Sequence, residues 1–373
     1  MSIASKPYII IAAISSRIYV EAAVKAGYDV IAIDAFADTD VKKLAKKSFQ
    51  VGLVENQLDS KQLIEILHDL DLQHILGLCY GAGFERNTNL LREINKRLRV
   101  LGNPASVVDD CKLPAKFFAT CKQLLIPFPE VAKNPPLLYK DWLAKRVGNS
   151  GGSHIKLLVD APVSHNADMY YQKQIRGMPI SCLFIASKHG VDVIGVNEQW
   201  LDSSNTEPYR YGGAVSHADI NPKAKLRLIG YVKQLAVTLG LIGLNSCDAI
   251  CVDEDVYVLE INPRLSATMD LYRKGNLMEK HIAASLMTLK LSEIALSNNR
   301  ETSFAHQIVY ATNPLKTKSD IIWPEWARDV PSAGAQFYEG MPVCTVIAEA
   351  ETPALAKALV ADRASTLKRK FLN

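Results

Sequence analysis

The first hundred residues alternate between continuous apolar runs and amphipathic segments. Apolar runs at 8–13, 29–36 and 74–80 predict buried strands, and residues 16–27 and 60–70 carry apolar side chains at helical spacing. Strands that alternate with helices are typical of a parallel α/β unit. Because ligands bind at the carboxyl ends of such strands, the loops that follow the strands are candidate binding loops.

The pattern then becomes more mixed. Residues 101–130 predict a boundary followed by one helix that stops before Ile126-Pro127, since proline cannot continue a helix. The segment 142–158, "WLAKRVGNSGGSHIKLL", predicts a short strand, a Gly-rich turn and a second strand. Residues 169–186 indicate a strand, a break and another strand, and 224–239 predict an amphipathic helix that ends at Gly240.

The most informative stretch is "NSCDAICVDEDVYVLEINPRLSATMD", residues 245–270. Two β-rich runs flank an acidic triplet, which predicts an antiparallel hairpin with a three-residue loop centred on Glu254. In that register Val252 faces Val256, and Asp248 faces Glu260. Opposed carboxylates repel until a cation neutralises them, and an amide follows on the same face at Asn262, so the sequence predicts an oxygen cage for Mg²⁺. A solvated charged face with a slipped register is the alternative.

Composition narrows the function classes. The chain has 373 residues, 48% hydrophobic and 22% charged, with a net charge of +4 and a mean hydropathy of +0.02, which allows two or three ordinary globular domains. No Lys/Arg cluster with interleaved aromatics points to nucleic acid, and no apolar run is long enough to span a membrane. Seven cysteines lie scattered in apolar runs without a CxxC pair, which indicates reduced thiols and a cytoplasmic protein.

Two local features suit a nucleotide. Lys145 precedes a turn whose glycines free backbone amides, and polyphosphates bind such a combination. The turn is not a Walker A loop, and a flexible hairpin turn is the alternative interpretation. The "QKQI" run at 172–175 places backbone groups where an adenine edge could pair. The first turn, "AAISSR", lacks GxGxxG, so a nicotinamide cofactor is not expected.

These pieces, in this order, resemble the ATP-grasp superfamily from about Tyr8 to Ala350. The most specific part is "EINPR" with an acid twelve residues upstream. The likeness is strongest to the ATP-dependent carboligase-like subgroup, which carries "GGxHI", "FRYGGAV" and "NPRPSATLD" runs. It implies an α/β and α+β ATP-grasp fold with an N-terminal parallel α/β pre-domain (1–105), an ATP-grasp domain (106–300, lid subdomain about 137–175) and a small C-terminal β-rich unit (301–373).

The resemblance also implies roles for individual residues. Arg264 would meet the transferring γ-phosphoryl group, Lys145 the α- and β-phosphates, and Lys112 would be a second phosphate-binding base. The remaining implied nucleotide contacts are the lid residues Gly151, Gly152 and Ser153, the side chains of Gln172 and Lys173, and the backbone of Gln174 and Ile175. Asp248, Glu260 and Asn262 would hold two Mg²⁺ ions, or Mn²⁺. Many family members have Asp-Lys where this chain has Cys111-Lys112, and no ribose-binding acid is obvious after Gly177.

The implied activity is that of an ATP-dependent ligase that joins a carboxylate and an amine through an acyl phosphate. Small-molecule substrates are the expected partners, with Ser16, Arg17, Arg210 and His217 as candidate contacts, and a homodimer is compatible with the family. One member of the subgroup is the tyramine–glutamate ligase of methanofuran-type cofactor synthesis, which implies synthesis of a glutamate-containing C1-carrier cofactor. An ATP-grasp carboxylase or phosphotransferase is one alternative, and a non-catalytic nucleotide-binding module is another.

Overall fold

A computed structural model gives the fold of residues 7–137, 139–160, 168–202, 204, 207–289, 302–318 and 321–371. Over these ranges no helix combines the length and the apolar character that a membrane span requires. All seven cysteines lie within them, and each is buried as a free thiol, as their positions in apolar runs predict.

The N-terminal part of the chain forms a parallel sheet, as the alternating pattern predicts. The strands in this part of the chain are β1 (Tyr8–Ala13), β2 (Asp29–Asp34), β3 (Lys47–Gln50), β4 (Leu53–Val54), β5 (Gln57–Leu58), β6 (Ile75–Tyr80) and β7 (Val100–Leu101), and all but β4 and β5 belong to the parallel sheet. The order across the sheet is β3-β2-β1-β6-β7 with parallel pairing throughout, while β4 and β5 pair with each other. The carboxyl ends of β1, β2 and β6 therefore lie at one edge, where binding loops are expected.

Helices cover both faces of this sheet. They are α1 (Arg17–Lys25), α2 (Thr39–Leu44), α3 (Ser60–Asp69) and α4 (Thr88–Asn95). Alternate residues of β1 point to opposite faces, so Ile9 and Ile11 join a core with α1, while Ile10 joins a core with α3 and α4. Gly27, with a φ of +90°, follows the last turn of α1, where a left-handed residue without a Cβ is favoured.

The single helix expected within 101–130 is wrong, because two short helices occur there. They are α5 (Ala105–Lys112) and α6 (Pro114–Gln123), and they meet at Leu113, whose extended backbone has a ψ of +110°. Pro114 causes the break, since a proline ring disfavours the helical conformation of the residue before it and is tolerated at the first helical position. The break leaves Lys112 as the last residue of α5.

A small antiparallel sheet carries the lysine strand. Its strands are β8 (Val131–Ala132), β9 (Trp142–Arg146), β10 (Lys156–Leu157) and β11 (Met169–Lys173), in the order β10-β9-β11-β8, and a 3₁₀ turn spans Leu158–Asp160. In the pairing of β9 with β11, Lys145 lies opposite Tyr170 and Leu143 opposite Gln172. Lys145 and Gln172 are therefore diagonal neighbours on one face of the sheet.

The rest of the described chain is organised by an eight-stranded antiparallel sheet. Its elements and their surroundings are β12 (Met178–Ser187), β13 (Gly190–Leu201), β14 (Tyr211–Ser216), α7 (Pro222–Thr238), β15 (Gly243–Val252), β16 (Asp255–Asn262), a 3₁₀ helix (Ala267–Tyr272), α8 (Leu277–Ser285), β17 (Ser303–Tyr310), β18 (Leu315–Lys316), β19 (Ala327–Arg328), β20 (Gln336–Phe337), β21 (Pro342–Ala350) and α9 (Pro353–Phe371). The order is β16-β15-β12-β13-β14-β17-β21-β19, and β18 pairs with β20. The boundary expected near residue 300 falls between strands of this one sheet, and the division into domains stays a prediction.

The acidic hairpin is the predicted β15–β16 pair, with one correction at its tip. The loop has two residues, Asp253 and Glu254, not three, so Val252 faces Asp255 and not Val256. Asp253 adopts a φ of +52°, which a tight two-residue turn permits. A β-bulge between Asp248 and Ala249 then shifts the register by one residue, so that Asp248 does face Glu260 as predicted.

Candidate functional site

One cavity of about 480 Å³ brings together most of the residues that the sequence singles out. Strands β9 and β11 of the small sheet line one side of it, and strands of the eight-stranded sheet line the other. The predicted residues in its lining are Lys112, Lys145, Gly151, Gly152, Gln172, Lys173, Gln174, Ile175, Asp248 and Glu260. Residues separated by up to 148 positions in sequence thus line the same cavity, whose volume is typical of a small-molecule site.

The two opposed carboxylates lie at one end of this cavity together with an amide and a lysine. Asn262 Nδ2 donates to Asp248 Oδ2 at 2.8 Å. Lys112 Nζ donates to Glu260 Oε2 and to Asn262 Oδ1, both at 2.7 Å. An ammonium group therefore occupies the position between the oxygens where the sequence predicts a metal cation.

The lysine makes the two carboxyl groups unequal. Burial, and then the neighbouring charge of Glu260, raise the pKa of Asp248 to about 6. Burial would also raise the pKa of Glu260, but the ammonium of Lys112 outweighs it and the pKa is lowered. The pair thus keeps its negative charge on Glu260, next to the lysine, and Asp248 is the member that takes up a proton more readily.

The donor set fits a magnesium ion that is shared with phosphates. In the described part of the chain, no group of three or more His, Cys, Asp or Glu side chains forms a complete metal site. Two carboxylates and one amide oxygen are what Mg²⁺ takes from a protein when phosphate oxygens and water complete its octahedron. That an ammonium already lies among these oxygens indicates that a cation is stabilised there.

Arg264 reaches the same cluster from the residues that follow β16. Its Nε donates to Glu85 Oε1 at 2.5 Å, and its Nη2 approaches Asn262 Oδ1 at 3.4 Å. Glu85 lies in the "GAGFE" loop after β6, and its Oε2 accepts from the amides of Gly83 and Phe84. Burial would raise the pKa of Glu85, but Arg264 outweighs it and lowers that pKa. The guanidinium is therefore fixed by an ion pair with the N-terminal sheet.

Lys145 is a buried cation with a neutral partner. It is 8% exposed, and its Nζ donates to Gln172 Oε1 at 2.6 Å. Burial lowers its pKa to about 8, although Glu260 and Asp248 act in the opposite direction. Gln172 Nε2 is buried without a partner among the described residues. Both groups are thus available to a ligand in the cavity.

The predicted lid loop, residues 148–154, contributes all of its residues except Ser153 to the lining of the cavity. Gly151 and Gly152 have φ values of +76° and +77°, and a Cβ on Gly152 would lie 1.9 Å from the carbonyl oxygen of Tyr209. Glycine is required there, since any side chain would push the loop away from that residue. The amide of Tyr211 also donates to Gly151 O at 2.9 Å, while Ser153 belongs to the loop without lining the cavity.

The role of the hinge at 172–175 in adenine binding stays a prediction. The hinge lines the cavity, but the amide of Gln174 already donates to Asp141 O at 2.7 Å, and that of Lys173 to Glu130 O at 2.8 Å. These two amides are therefore used within the sheet. An adenine would have to pair with the carbonyl groups of the hinge and with the backbone beyond Gln174.

The four candidate substrate residues lie away from the lining of this cavity. Ser16 Oγ donates to Asp34, and Arg17 is buried between Asp270 and Asp329. Arg210 lies 3.7 Å over the ring of Tyr310 and pairs with Glu207, and His217 packs edge-on against Tyr272. The charges of both arginines are already neutralised, so their role as substrate contacts stays a prediction.

The sequence interpretation did not single out three residues that the structure places at the site. Glu85 holds Arg264, and its position just after a parallel strand was an available signal. His154, in the "GGxHI" run, lines the cavity, and its Nδ1 is buried without a partner among the described residues; burial lowers its pKa to about 4. Tyr211, in the "YRYGGAV" run, also lines the cavity, and its hydroxyl lies 2.7 Å from His306 Nε2.

Comparison with known proteins agrees with this geometry. Residues 115–268 match the family model of the ATP-grasp domain. The L-amino acid ligase of Bacillus licheniformis has the same fold, with a TM-score of 0.72 at 14% identity over 96% of this chain and 97% of that chain. The biotin carboxylase domain dimer of Hydrogenobacter thermophilus 2-oxoglutarate carboxylase, solved with MgADP, ADP and bicarbonate, gives a TM-score of 0.73 at 13% identity, over 98% and 90% of the two chains.

The chain therefore carries an ATP-grasp domain within an ATP-grasp fold, as the motifs imply. At the level of sequence, it is 24% identical to an uncharacterized protein of Methanocaldococcus jannaschii over 96% of this chain and 92% of that relative. The carbamoyl phosphate synthase large chain of Thermus thermophilus also matches at 24% identity, and this chain spans only 23% of its length.

Proposed function

We propose that the protein is an ATP-dependent ligase that joins a carboxylate to an amine through an acyl-phosphate intermediate. The observation that carries the proposal is one cavity lined by Lys145, Asp248 and Glu260. Asn262 and Arg264 are not in the lining itself, but Asn262 donates to Asp248 and Arg264 approaches Asn262. This set offers positive charge for phosphates, oxygens for a divalent cation, and an arginine at the cation-binding end. A module that only bound a nucleotide would need no guanidinium held there by a buried ion pair.

We assign the phosphate end of the nucleotide to Lys145 and the lid. Lys145 is buried and paired only with a neutral amide, so a phosphate is the anion that would complete its environment. His154, which is neutral because its pKa is about 4, would offer a polar ring nitrogen from the lid. Closure of residues 148–154 would exclude water, which an acyl phosphate needs because it hydrolyses readily.

We assign the metal to Asp248, Glu260 and Asn262. When bound, Mg²⁺ would neutralise phosphate oxygens and polarise the γ-phosphoryl group. Lys112 lies among these oxygens in the free protein, so it would have to move toward the phosphates, where the family resemblance also places it. Whether one or two ions bind depends on how many phosphate oxygens reach this end of the cavity.

The reaction would proceed in two displacements. A carboxylate oxygen of the first substrate attacks the γ-phosphorus, the bond to the β-phosphate oxygen breaks, and ADP leaves. The amine nitrogen of the second substrate then attacks the acyl carbon. The bond from this carbon to the oxygen that had attacked the γ-phosphorus breaks, and inorganic phosphate leaves with that oxygen. Arg264 would stabilise the negative charge of the transferring group, with Glu85 keeping its guanidinium in place.

For the substrates, we propose L-glutamate and an aromatic amine such as tyramine as the first pair to assay. The basis is the resemblance to the carboligase-like subgroup, and the product would be a precursor of a glutamate-containing C1-carrier cofactor. The domain limits inferred from the sequence and the assembly as a homodimer belong to the same proposal. The ligase chemistry does not depend on this choice of substrates.

Isotope transfer tests the chemistry directly. A substrate labelled with ¹⁸O in its carboxylate should pass one label into inorganic phosphate for every amide formed, with ADP as the second product. Asp248→Asn serves as the control and should form neither product. Formation of AMP and pyrophosphate, or of an amide with unlabelled phosphate, would overturn the acyl-phosphate mechanism. ADP formed with bicarbonate in place of the substrate carboxylate as the phosphoryl acceptor would favour a carboxylase.

A further inference from the structure

A second cavity, of about 680 Å³, lies between the N-terminal helices and a C-terminal segment. One wall consists of residues from α1 and α2, including Arg17, Asp40 and Lys43. The other wall comes from Lys318 and from residues within 321–333, including Trp323 and Arg328. None of its lining residues lines the nucleotide cavity, so it is a separate site.

Three cations of the lining, Lys43, Lys318 and Arg328, take part in no ion pair within the described part of the chain. Lys43 and Lys318 are exposed, where an unpaired lysine is ordinary, so the half-buried Arg328 is the informative one, because most buried or half-buried charges in proteins are paired. Arg328 is half-buried, and its Nη1 donates to the backbone oxygens of Glu325 and Ala327. Its Nε and Nη2 have no partner within the described ranges.

The acids that line the same cavity are already engaged. Asp40 accepts hydrogen bonds from the amides of Asp329 and Val330, at 2.8 and 3.2 Å. Glu21 pairs with Arg17 at 3.3 Å, and Arg17 also binds Asp270 and Asp329. Lys43, Lys318 and Arg328 therefore have no carboxylate partner among the described residues, while Asp40, which accepts only from backbone amides, leaves one negative charge in the lining. Burial is the main cause that lowers the pKa of Arg328, and the nearby Arg273 and Arg17 add to it, while Glu21 and Asp270 act in the opposite direction.

The remaining lining is apolar. Leu44, Ile321, Trp323, Pro324 and Pro331 contribute to it, so the cavity offers a hydrophobic surface next to its cations. A ligand that matches both parts carries a compact negative group and a ring or short aliphatic portion. A guanidinium whose Nε–Nη2 edge is free suits a phosphate or carboxylate group, which can accept from both nitrogens, better than a single halide ion.

We propose that this cavity, lined by Arg328, Lys43 and Lys318, binds a small dianion that carries an apolar portion, independently of the nucleotide. Arg328 holds the charged group through Nε and Nη2, the two lysines supply further positive charge, and the apolar wall around Trp323 covers the rest of the ligand. The proposal does not depend on which reaction the nucleotide cavity catalyses.

Calorimetric titration with phenyl phosphate tests the proposal. The protein is first saturated with Mg²⁺ and a non-hydrolysable ATP analogue, so that the nucleotide cavity is occupied. Wild type should still bind phenyl phosphate, more tightly than inorganic phosphate and with no comparable binding of benzyl alcohol. Loss of all phenyl phosphate binding on saturation with the analogue would show that the probe binds in the nucleotide cavity and would overturn the proposal.

Variants then locate the site. Arg328→Gln should weaken phenyl phosphate binding at least tenfold, and Lys43→Gln, at an exposed helix position that should not affect folding, about threefold or more. The matched control is Lys42→Gln, which removes a neighbouring lysine on α2 whose amine donates to Ser332 Oγ and does not line the cavity. Equal effects of Lys42→Gln and Lys43→Gln, or none of Arg328→Gln, would refute the assignment.

Discussion

The buried ammonium of Lys145 should make the stability of the free protein depend on pH in a specific way. Its side chain lies in the nucleotide cavity and pairs only with Gln172. Burial lowers its pKa from 10.5 to about 8 in the folded protein. Replacing it in Lys145→Met removes this titrating group while keeping a long apolar stem.

The sign and size of the effect follow from proton linkage. An unfolded lysine keeps its proton up to about pH 10.5, whereas folded Lys145 loses it near pH 8. Between these values the unfolded state binds more protons, so Lys145 makes the folded protein more stable as the pH rises. A shift from 10.5 to about 8, at roughly 1.4 kcal/mol per pH unit, amounts to about 3 kcal/mol.

Urea unfolding of wild type and Lys145→Met, without nucleotide, measures this difference at several pH values. Between about pH 7.5 and pH 10.5 wild type should gain about 3 kcal/mol relative to the variant. The lost hydrogen bond to Gln172 adds an offset that does not vary with pH. Lys173→Met, at an exposed position on the same sheet where the lysine pairs with Glu130, shows what the loss of an exposed lysine charge does. A stability difference that stays constant within about 1 kcal/mol would refute the reasoning.

Three further predictions concern the site and its lid. Glu85→Gln leaves the guanidinium of Arg264 buried without a carboxylate, so it should cost about 3–5 kcal/mol in urea unfolding, and a loss below about 1 kcal/mol would contradict the structural role of this ion pair. Both Asp248→Asn and Glu260→Gln should abolish turnover. Without metal, Asp248→Asn should keep or raise the free energy of unfolding, whereas Glu260→Gln should lower it. Equal changes in the two variants would count against the position of Lys112. Amide exchange across 148–154 should slow when Mg²⁺ and an ATP analogue bind, and unchanged exchange would argue that this loop is not a lid.

Local patterns in the sequence were sufficient for much of the fold. The apolar runs of β1, β2 and β6 are six residues each, a length typical of strands buried on both faces, and the helices between them follow from apolar spacing. The pairing of Asp248 with Glu260 was predicted because their hairpin is short. The predicted pairing is correct although the predicted three-residue turn is not. The two-residue turn shifts the register by one residue, and the β-bulge shifts it back.

Contacts between distant segments were beyond the reach of the sequence pattern. Glu85 and Arg264 are 179 residues apart, and nothing in either local run indicates that they meet. Lys112 was expected at the phosphates, but the break at Pro114 ends α5 where its side chain reaches Glu260 and Asn262. Such partners depend on how the N-terminal sheet packs against the eight-stranded sheet, which involves many weak contacts and no single motif.

The position of Lys112 changes how the metal site has to be understood. From the sequence, Asp248 and Glu260 are two equivalent carboxylates that repel each other until a cation binds. In the structure they are not equivalent, because the lysine compensates the charge of Glu260, while burial and the neighbouring charge of Glu260 raise the pKa of Asp248. A divalent ion alone would therefore have to displace an ammonium that is already hydrogen-bonded twice. Phosphates that arrive with the ion offer this lysine a new partner, so the arrangement favours joint binding of Mg²⁺ and nucleotide over binding of the free ion.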